Sequence, residues 1–463
     1  MELREQVRAW LDAHEEEMVR DIGRLVRYRS VSRPGTEDAP YGPECAAALA
    51  EMLDMGREYG FETHNAENRC GSVTWENGGK TIGLWAHLDV VPEAEGWLYP
   101  PYSCTRKGDF LIGRGVGDNK GPAVGGLYAM RCIRDLGLPF RSSIRQVAGC
   151  DEEKGMSDVE YYVSRYPLPD FSLVTDSGFP VCYGEKGILE AELWSPPLEG
   201  VREWSGGTAS NIVPDACTLL LDGGEAPASL PEGISAAAEE GGLRLCARGF
   251  ARHTAAPEGG VNAIGRLCGF LEKSGLLPEK NRETVSFLKE VCGCFYGETL
   301  GIACADEPSG RLTCVGSLLR MEQNRAVLTL NIRYPVTLKG GALLEKLRQT
   351  AGAYGFETVL LQDSAPNYFN PDSPLVEALC EVYREATGSD AQAYVMGGGT
   401  YARKIPNAVA YGPGMAADFS PLGLPPGHGE GHSPDEALHL PTLKKAVEIY
   451  VLALLRLDRL LNE

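Results

Sequence analysis

The sequence predicts an α/β fold: a doubly wound, largely parallel sheet with an α+β domain inserted into it. Three observations predict it. Short apolar runs alternate with segments of helical period up to about residue 184, and the alternation resumes after Pro366. The run 81–86, TIGLWA, is continuously apolar, as in a strand covered on both faces. Between about 185 and 365 the character changes to recurrent strand-like runs separated by proline- and glycine-rich loops. The expected bounds are 1–184 and 366–463 for the two parts of the α/β domain, and 185–365 for the insert.

The elements follow in order. Residues 3–28 have helical period, with Val7, Leu11, Met18, Ile22 and Leu25 on one face. A loop with Ser30, Ser32 and Pro34 leads to a second helix over 44–59, stopped by Gly60. After the strand 81–86, the breakers Pro92, Gly96, Pro100 and Pro101 make a long loop. A short strand at 110–114, a tight loop GVGDNKG at 115–121 and a helix over 123–136 come next. Strands at 142–148 and 171–175 run into the acidic segments 150–153 and Asp176. The insert holds strands at 187–193, 216–221, 243–247, 326–332 and 357–361, with helices at 262–274, 282–292 and 341–354. A helix at 374–386, a strand at 408–411 and a helix at 440–461 complete the chain.

Composition narrows the function classes. With 64 acidic and 44 basic residues the formal charge is −20, which opposes nonspecific binding to nucleic acid or to an anionic membrane surface. The first 22 residues are charged throughout and lack the apolar centre of a signal peptide. No run reaches 18 apolar residues, so no span is expected, and a cytoplasmic location follows. The 14 cysteines are scattered and form no paired CxxC motif, which fits buried free thiols better than a disulfide framework or a thiolate zinc site.

The chemistry-bearing residues fall at predicted strand ends. His87 and Asp89 stand one residue apart where the strand 81–86 ends, so both side chains would point to one side. The carboxyl edge of an open α/β sheet is where ligands bind. A metal-bound His usually has its other nitrogen held by a carboxylate, so His87 reads as a ligand and Asp89 as its orienting partner. Asp118, in a glycine-bounded loop before a helix, Glu152 and Glu153, Asp176 and His432 join them. Two imidazoles with several carboxylates suit zinc or manganese, and a shared carboxylate would make a two-metal site. Adjacent residues of an extended chain point to opposite sides, so one of Glu152 and Glu153 would ligate while the other faces substrate as general base. Each has a plainer reading alone: a strand-end hydrogen bond for His87, a solvated loop for 151–153, a strand cap for Asp176, a surface residue for His432.

Motifs spread over nearly the whole chain resemble those of the M20 metallopeptidases, and within them the PepV-type dipeptidases. They are HLDVVP at 87–92, GWLYPPY at 96–102, GRGVGDNKGP at 113–122, DEEKG at 151–155, TDSGFPV at 175–181, GGGTYAR at 397–403 and HSPDE at 432–436. The resemblance implies a zinc-exopeptidase-like catalytic domain, with the insert serving as a lid. It implies two divalent ions: His87 and Asp176 on one, Glu153 and His432 on the other, Asp118 bridging. Glu152 would be the base and Asp89 the orienting residue. His253, in ARHTAAPEGGVNAI, would stabilise the oxyanion. Asn211, Arg333, Gly398 and Arg403 would contact substrate. Asn119, Ser177–Gly178 and Arg252 depart from the family pattern, and His428 is an alternative to His432.

The expected activity is hydrolysis of dipeptides by a two-metal-activated water, in a monomer acting on small peptides without nucleic-acid or membrane partners. An N-acyl amino acid deacylase with the same metal site is the alternative.

Overall fold

The computed structural model describes residues 2–463, which divide into two compact units. The first comprises the chain up to Tyr183 with Phe369–Tyr394 and Gly399–Glu463. The second comprises Gly184–Tyr368 with Val395–Gly398. The expected insert, 185–365, differs from the second unit by a few residues at each end and by that short return segment.

The first unit is organised on the apolar strand Thr81–His87, buried along nearly its whole length. It lies between two parallel neighbours, Ser143–Gly149 and Phe171–Val174. Ala408–Ala410 continues the parallel set beside Phe171–Val174. Cys70–Trp75 and Glu62–Ala66 extend the other side antiparallel, so the sheet is parallel only at its centre. That centre is covered on both faces, which accounts for its unbroken apolar runs. Trp85 shows how tightly: it is 1% exposed, its indole N–H donates to Ser172 Oγ at 3.0 Å, and its ring meets Tyr162 edge-on.

The helix Lys120–Asp135 follows the GVGDNKG loop and is buried from Lys120 to Ile133. Small residues make that depth possible. A Cβ at Gly121 would sit 2.1 Å from the Val116 carbonyl oxygen, and one at Gly126 would crowd Gln146 at 3.0 Å. The C-terminal helix Leu440–Asn462 packs against it and against Pro374–Thr387.

Three expectations are corrected. The helix expected over 3–28 is two helices, Leu3–Ala13 and Glu15–Val26. The break falls at His14, whose ring stacks on Trp10 and whose Nδ1 lies 2.7 Å from the Trp10 carbonyl oxygen. The strand Phe110–Ile112 belongs to a separate antiparallel sheet with Thr105–Lys107 and Ala437–His439, so Asp118 does not follow a strand of the main sheet. The second unit also contains strands that the pattern did not reveal, chief among them Thr313–Glu322 and Val201–Gly206.

The second unit has its own core, around an eight-stranded antiparallel sheet against which Ala263–Ser274, Arg282–Gly293 and Gly340–Ala353 pack. Asn262 caps the first of these helices through the amides of Ile264 and Gly265, and Gly275 ends it with φ of +68°.

Candidate metal centre

The cluster is assembled from five separate stretches of the first unit. His87 is the last residue of the central strand and is 1% exposed. Its Nδ1 lies 2.9 Å from the Asp89 carbonyl oxygen, which can only accept, so Nδ1 carries the proton and Nε2 turns to the cluster. There Nε2 is 2.9 Å from Asp118 Oδ1 and 3.7 Å from Asp176 Oδ2. The other oxygen of Asp118 lies 3.0 Å from His432 Nε2, which is also 2.9 Å from Glu153 Oε1. The two oxygens of Asp118 therefore face one imidazole each. Glu152 closes the group: single ligand atoms of His87, Glu152 and Asp176 lie within 4.8 Å of one another, as do those of His87, Asp118 and Glu153.

Glu152 and Glu153 are not on an extended chain. Past Gly149 the backbone turns over 151–155, and both carboxylates reach the same cluster instead of opposite sides. Asp89 holds that turn. Its carboxylate accepts the backbone N–H groups of Glu152 at 3.1 Å and Glu153 at 3.0 Å, while it stands 3.4 Å from His87 Nδ1. Asp158 holds the turn from behind, accepting from the amides of Cys150 at 2.6 Å and Asp151 at 2.8 Å and from Tyr401 Oη at 2.5 Å.

Two supporting residues went unassigned in the sequence. Glu436, 1% exposed, accepts the backbone N–H groups of Gly115, Gly117 and Asp118 and pairs with buried Arg114 at 2.8 Å. It fixes the loop that aims Asp118. Its place in HSPDE beside His432 was the available signal. Asn119 stands 3.4 Å from the His87 amide and donates to Asp176 Oδ1 at 3.1 Å, tying two arms of the cluster together. An aspartate there would meet Asp176 as a like charge.

His432 sits in a glycine-rich turn with φ of +65°, an uncommon conformation for a side chain of its size. His428 is held elsewhere: its Nδ1 lies 2.7 Å from Asp435, whose carboxylate also accepts the amides of Leu98 and Tyr99.

The electrostatics describe a site short of positive charge. Burial pulls the His87 ring down, but hydrogen bonding to Asp118 and Asp89 reverses this and raises it well above its ordinary value. Hydrogen bonds to Asp118 and Glu153 push His432 up to about 11. Burial pushes the Asp118 carboxyl up, and the two histidines more than offset it, holding it well below the usual range. Glu152 is raised well above an ordinary glutamate, first by burial and then by Asp176. Four carboxylates around two imidazoles, in a cluster that runs from buried His87 to half-exposed His432, is a donor set that divalent cations complete.

The other predicted residues are not among these. In the second unit, Asn211 and His253 are on adjoining segments: Ile212 bridges His253, and Asn211 O accepts from Thr254 N at 2.9 Å. Arg333, 6% exposed, donates to Asn331 Oδ1 at 2.9 Å and to the Gly397 carbonyl at 3.2 Å, next to Gly398. Arg403 belongs to the first unit, with its guanidinium against Gly399.

The family model for peptidase family M20/M25/M40 matches residues 83–456. The chain belongs to peptidase family M20. As a member it is a metal-dependent hydrolase with an α/β fold. A relative from Bacillus subtilis (strain 168), named "Putative dipeptidase YtjP", is 32% identical over 96% of this M20 chain and 98% of its own. Human carnosine dipeptidase 1 shares the fold at a TM-score of 0.60, with 15% identity and 99% of each chain covered. The dipeptidase Dug1p from Saccharomyces cerevisiae does so at 0.60 and 12% identity, again over 99% of each chain. No described helix of this M20 peptidase is long and apolar enough to cross a membrane.

Proposed function

We propose that this M20 peptidase is a dipeptidase acting on small unmodified dipeptides, with two divalent cations, zinc or manganese, in the cluster. The observation that carries the reading is Asp118, whose two oxygens face one imidazole nitrogen each. His87 and Asp176 would hold one ion, Glu153 and His432 the other, and Asp118 both. When bound, the cations supply Lewis acidity that polarises the scissile carbonyl and lowers the pKa of water.

The chain's own residues handle the proton. Glu152 takes it from the attacking water and returns it to the leaving amine, a role served by a carboxyl group whose pKa burial raises above the ordinary glutamate range. Asp89 keeps Glu152 in place through its backbone amide. On the family resemblance, His253 steadies the oxyanion, while Asn211, Arg333, Gly398 and Arg403 bind substrate. A guanidinium is suited to fork the terminal carboxylate of a dipeptide. The fourteen free cysteines suit a reducing compartment, which supports a cytoplasmic location; recovery in a secreted fraction would oppose it.

The test is a substrate panel run after chelation and defined re-addition of zinc or manganese. Dipeptides should be hydrolysed only after reloading, and faster than N-acetyl amino acids. The reverse order of rates would make the protein a deacylase. Hydrolysis of neither set would remove the reading.

A further inference from the structure

A pocket of about 320 Å³ opens beside the carboxylate cluster within the first unit. We propose that it receives the side chain of the dipeptide's amine-side residue and selects an uncharged, apolar one. The inference rests on the dipeptidase reading and adds the substrate preference that reading leaves open.

Asp118 and Asp176 border the pocket, so it begins at the cluster itself. Met415, Ala417, Phe419, Leu438 and Leu443 make its apolar wall; Glu436, His439 and Thr442 also line it, and no lysine or arginine does. The wall is fixed to the cluster by backbone. Ser177 and Gly178, directly after Asp176, pair in parallel with Pro413 and Gly414, and the Gly414 carbonyl accepts from Phe179 N at 3.0 Å. The chain carrying Met415, Ala417 and Phe419 thus leaves from the same small sheet as Asp176. Phe419 rests on buried Phe110, with ring centroids 5.4 Å apart.

Covalent geometry decides which half of the substrate this pocket can take. The attacked carbonyl carbon is bonded to the Cα of the amine-side residue, so that side chain branches two bonds from the reacting atom. A pocket that starts at Asp118 and Asp176 is within its reach. The leaving residue's side chain branches three bonds from that carbon, on the far side of the scissile nitrogen, and is the less direct fit to a pocket that begins at Asp118 and Asp176. The volume is at the low end for small-molecule sites and suits one side chain. Filling such a pocket discriminates between apolar side chains by roughly tenfold to a few hundredfold.

The experiment compares kcat/KM of zinc- or manganese-loaded enzyme on Leu-Gly, Phe-Gly, Gly-Gly, Asp-Gly and the reversed Gly-Leu. Leu-Gly and Phe-Gly should exceed Gly-Gly and Asp-Gly by about tenfold or more, with Gly-Leu near Gly-Gly. Ala417→Trp, which fills the pocket, should cut the Phe-Gly to Gly-Gly ratio by about tenfold. Phe419→Ala, at a partly exposed position, should widen the pocket and raise the ratio for the bulkier side chain. If Ala417→Trp does not fold, Phe419→Ala alone carries the test. Dipeptide hydrolysis with ratios unmoved by the variants would overturn the pocket and leave the dipeptidase reading standing. No hydrolysis of any dipeptide by loaded wild type would overturn that reading first.

Discussion

Glu152 is the residue whose role the chemistry constrains most. It stands with His87 and Asp176, burial raises its pKa, and its amide is pinned by Asp89. Glu152→Gln should lower turnover by about 10²- to 10⁴-fold while bound metal, measured by elemental analysis, stays at the wild-type level. Glu436 acts one step further out. Glu436→Ala leaves Arg114 buried without its partner and frees three amides of the Asp118 loop. It should cost about 3–5 kcal/mol in denaturant unfolding and weaken metal binding by roughly 10- to 100-fold. His432 sets a pH dependence. In the metal-free protein its pKa is raised to about 11, so it is protonated at neutral pH and must lose that proton to bind an ion. Metal affinity should rise with pH by about tenfold per unit for each proton released, as competition titrations at several pH values would record. Affinity independent of pH would remove His432 from the ligand set. Most of these residues were legible in the sequence because short motifs at strand ends carry them. Glu436 was not, since it serves amides some 320 positions earlier in the chain. The expectation for Glu152 and Glu153 failed in one respect: it assumed extended backbone where Asp89 and Asp158 gather the amides into a turn.

At the scale of elements, the helix Lys120–Asp135 matters most, because it starts at the Asp118 loop and lies against the central sheet. Its glycines are demanded by close approach. Gly121→Ala would place a methyl group against the Val116 carbonyl oxygen, inside the loop that Glu436 holds. A loss of about 1–3 kcal/mol in thermal or denaturant unfolding should follow, together with weaker metal retention. An unchanged metal affinity would show that helix and loop are independent. Continuous apolar runs made the central strands readable. The strand Thr313–Glu322 escaped notice because Gly316, Ser317 and Arg320 break both the alternating and the continuous pattern, yet neighbours on both sides fix it. The break at His14 was hidden for a similar reason: the apolar period runs through it, and the interruption comes from a side chain bonding back to Trp10.

For the whole molecule, the decisive property is convergence. His87, Asp118, Glu152 with Glu153, Asp176 and His432 come from stretches spread across some 345 positions of the chain and meet within a few ångströms. The sheet order brings the ends of three parallel neighbours to one edge, the small sheet Phe110–Ile112 with Ala437–His439 brings in the Asp118 loop and the His432 turn, and Glu436 locks these two together. Alternating strands and helices forecast the first of these arrangements; the second depends on pairing between distant segments, which local pattern does not encode. We propose above all that this cluster would hold two cations, with Asp118 placed to serve both, and that hydrolysis needs both. Stepwise reloading of chelator-treated protein with zinc or manganese, following bound ion and dipeptide turnover together, tests it most directly. Turnover should reach its plateau at two ions per chain in the wild type, and Asp118→Asn should lose both the second ion and the activity. Full turnover without bound metal, or Asp118→Asn filling and turning over like the wild type, would contradict it.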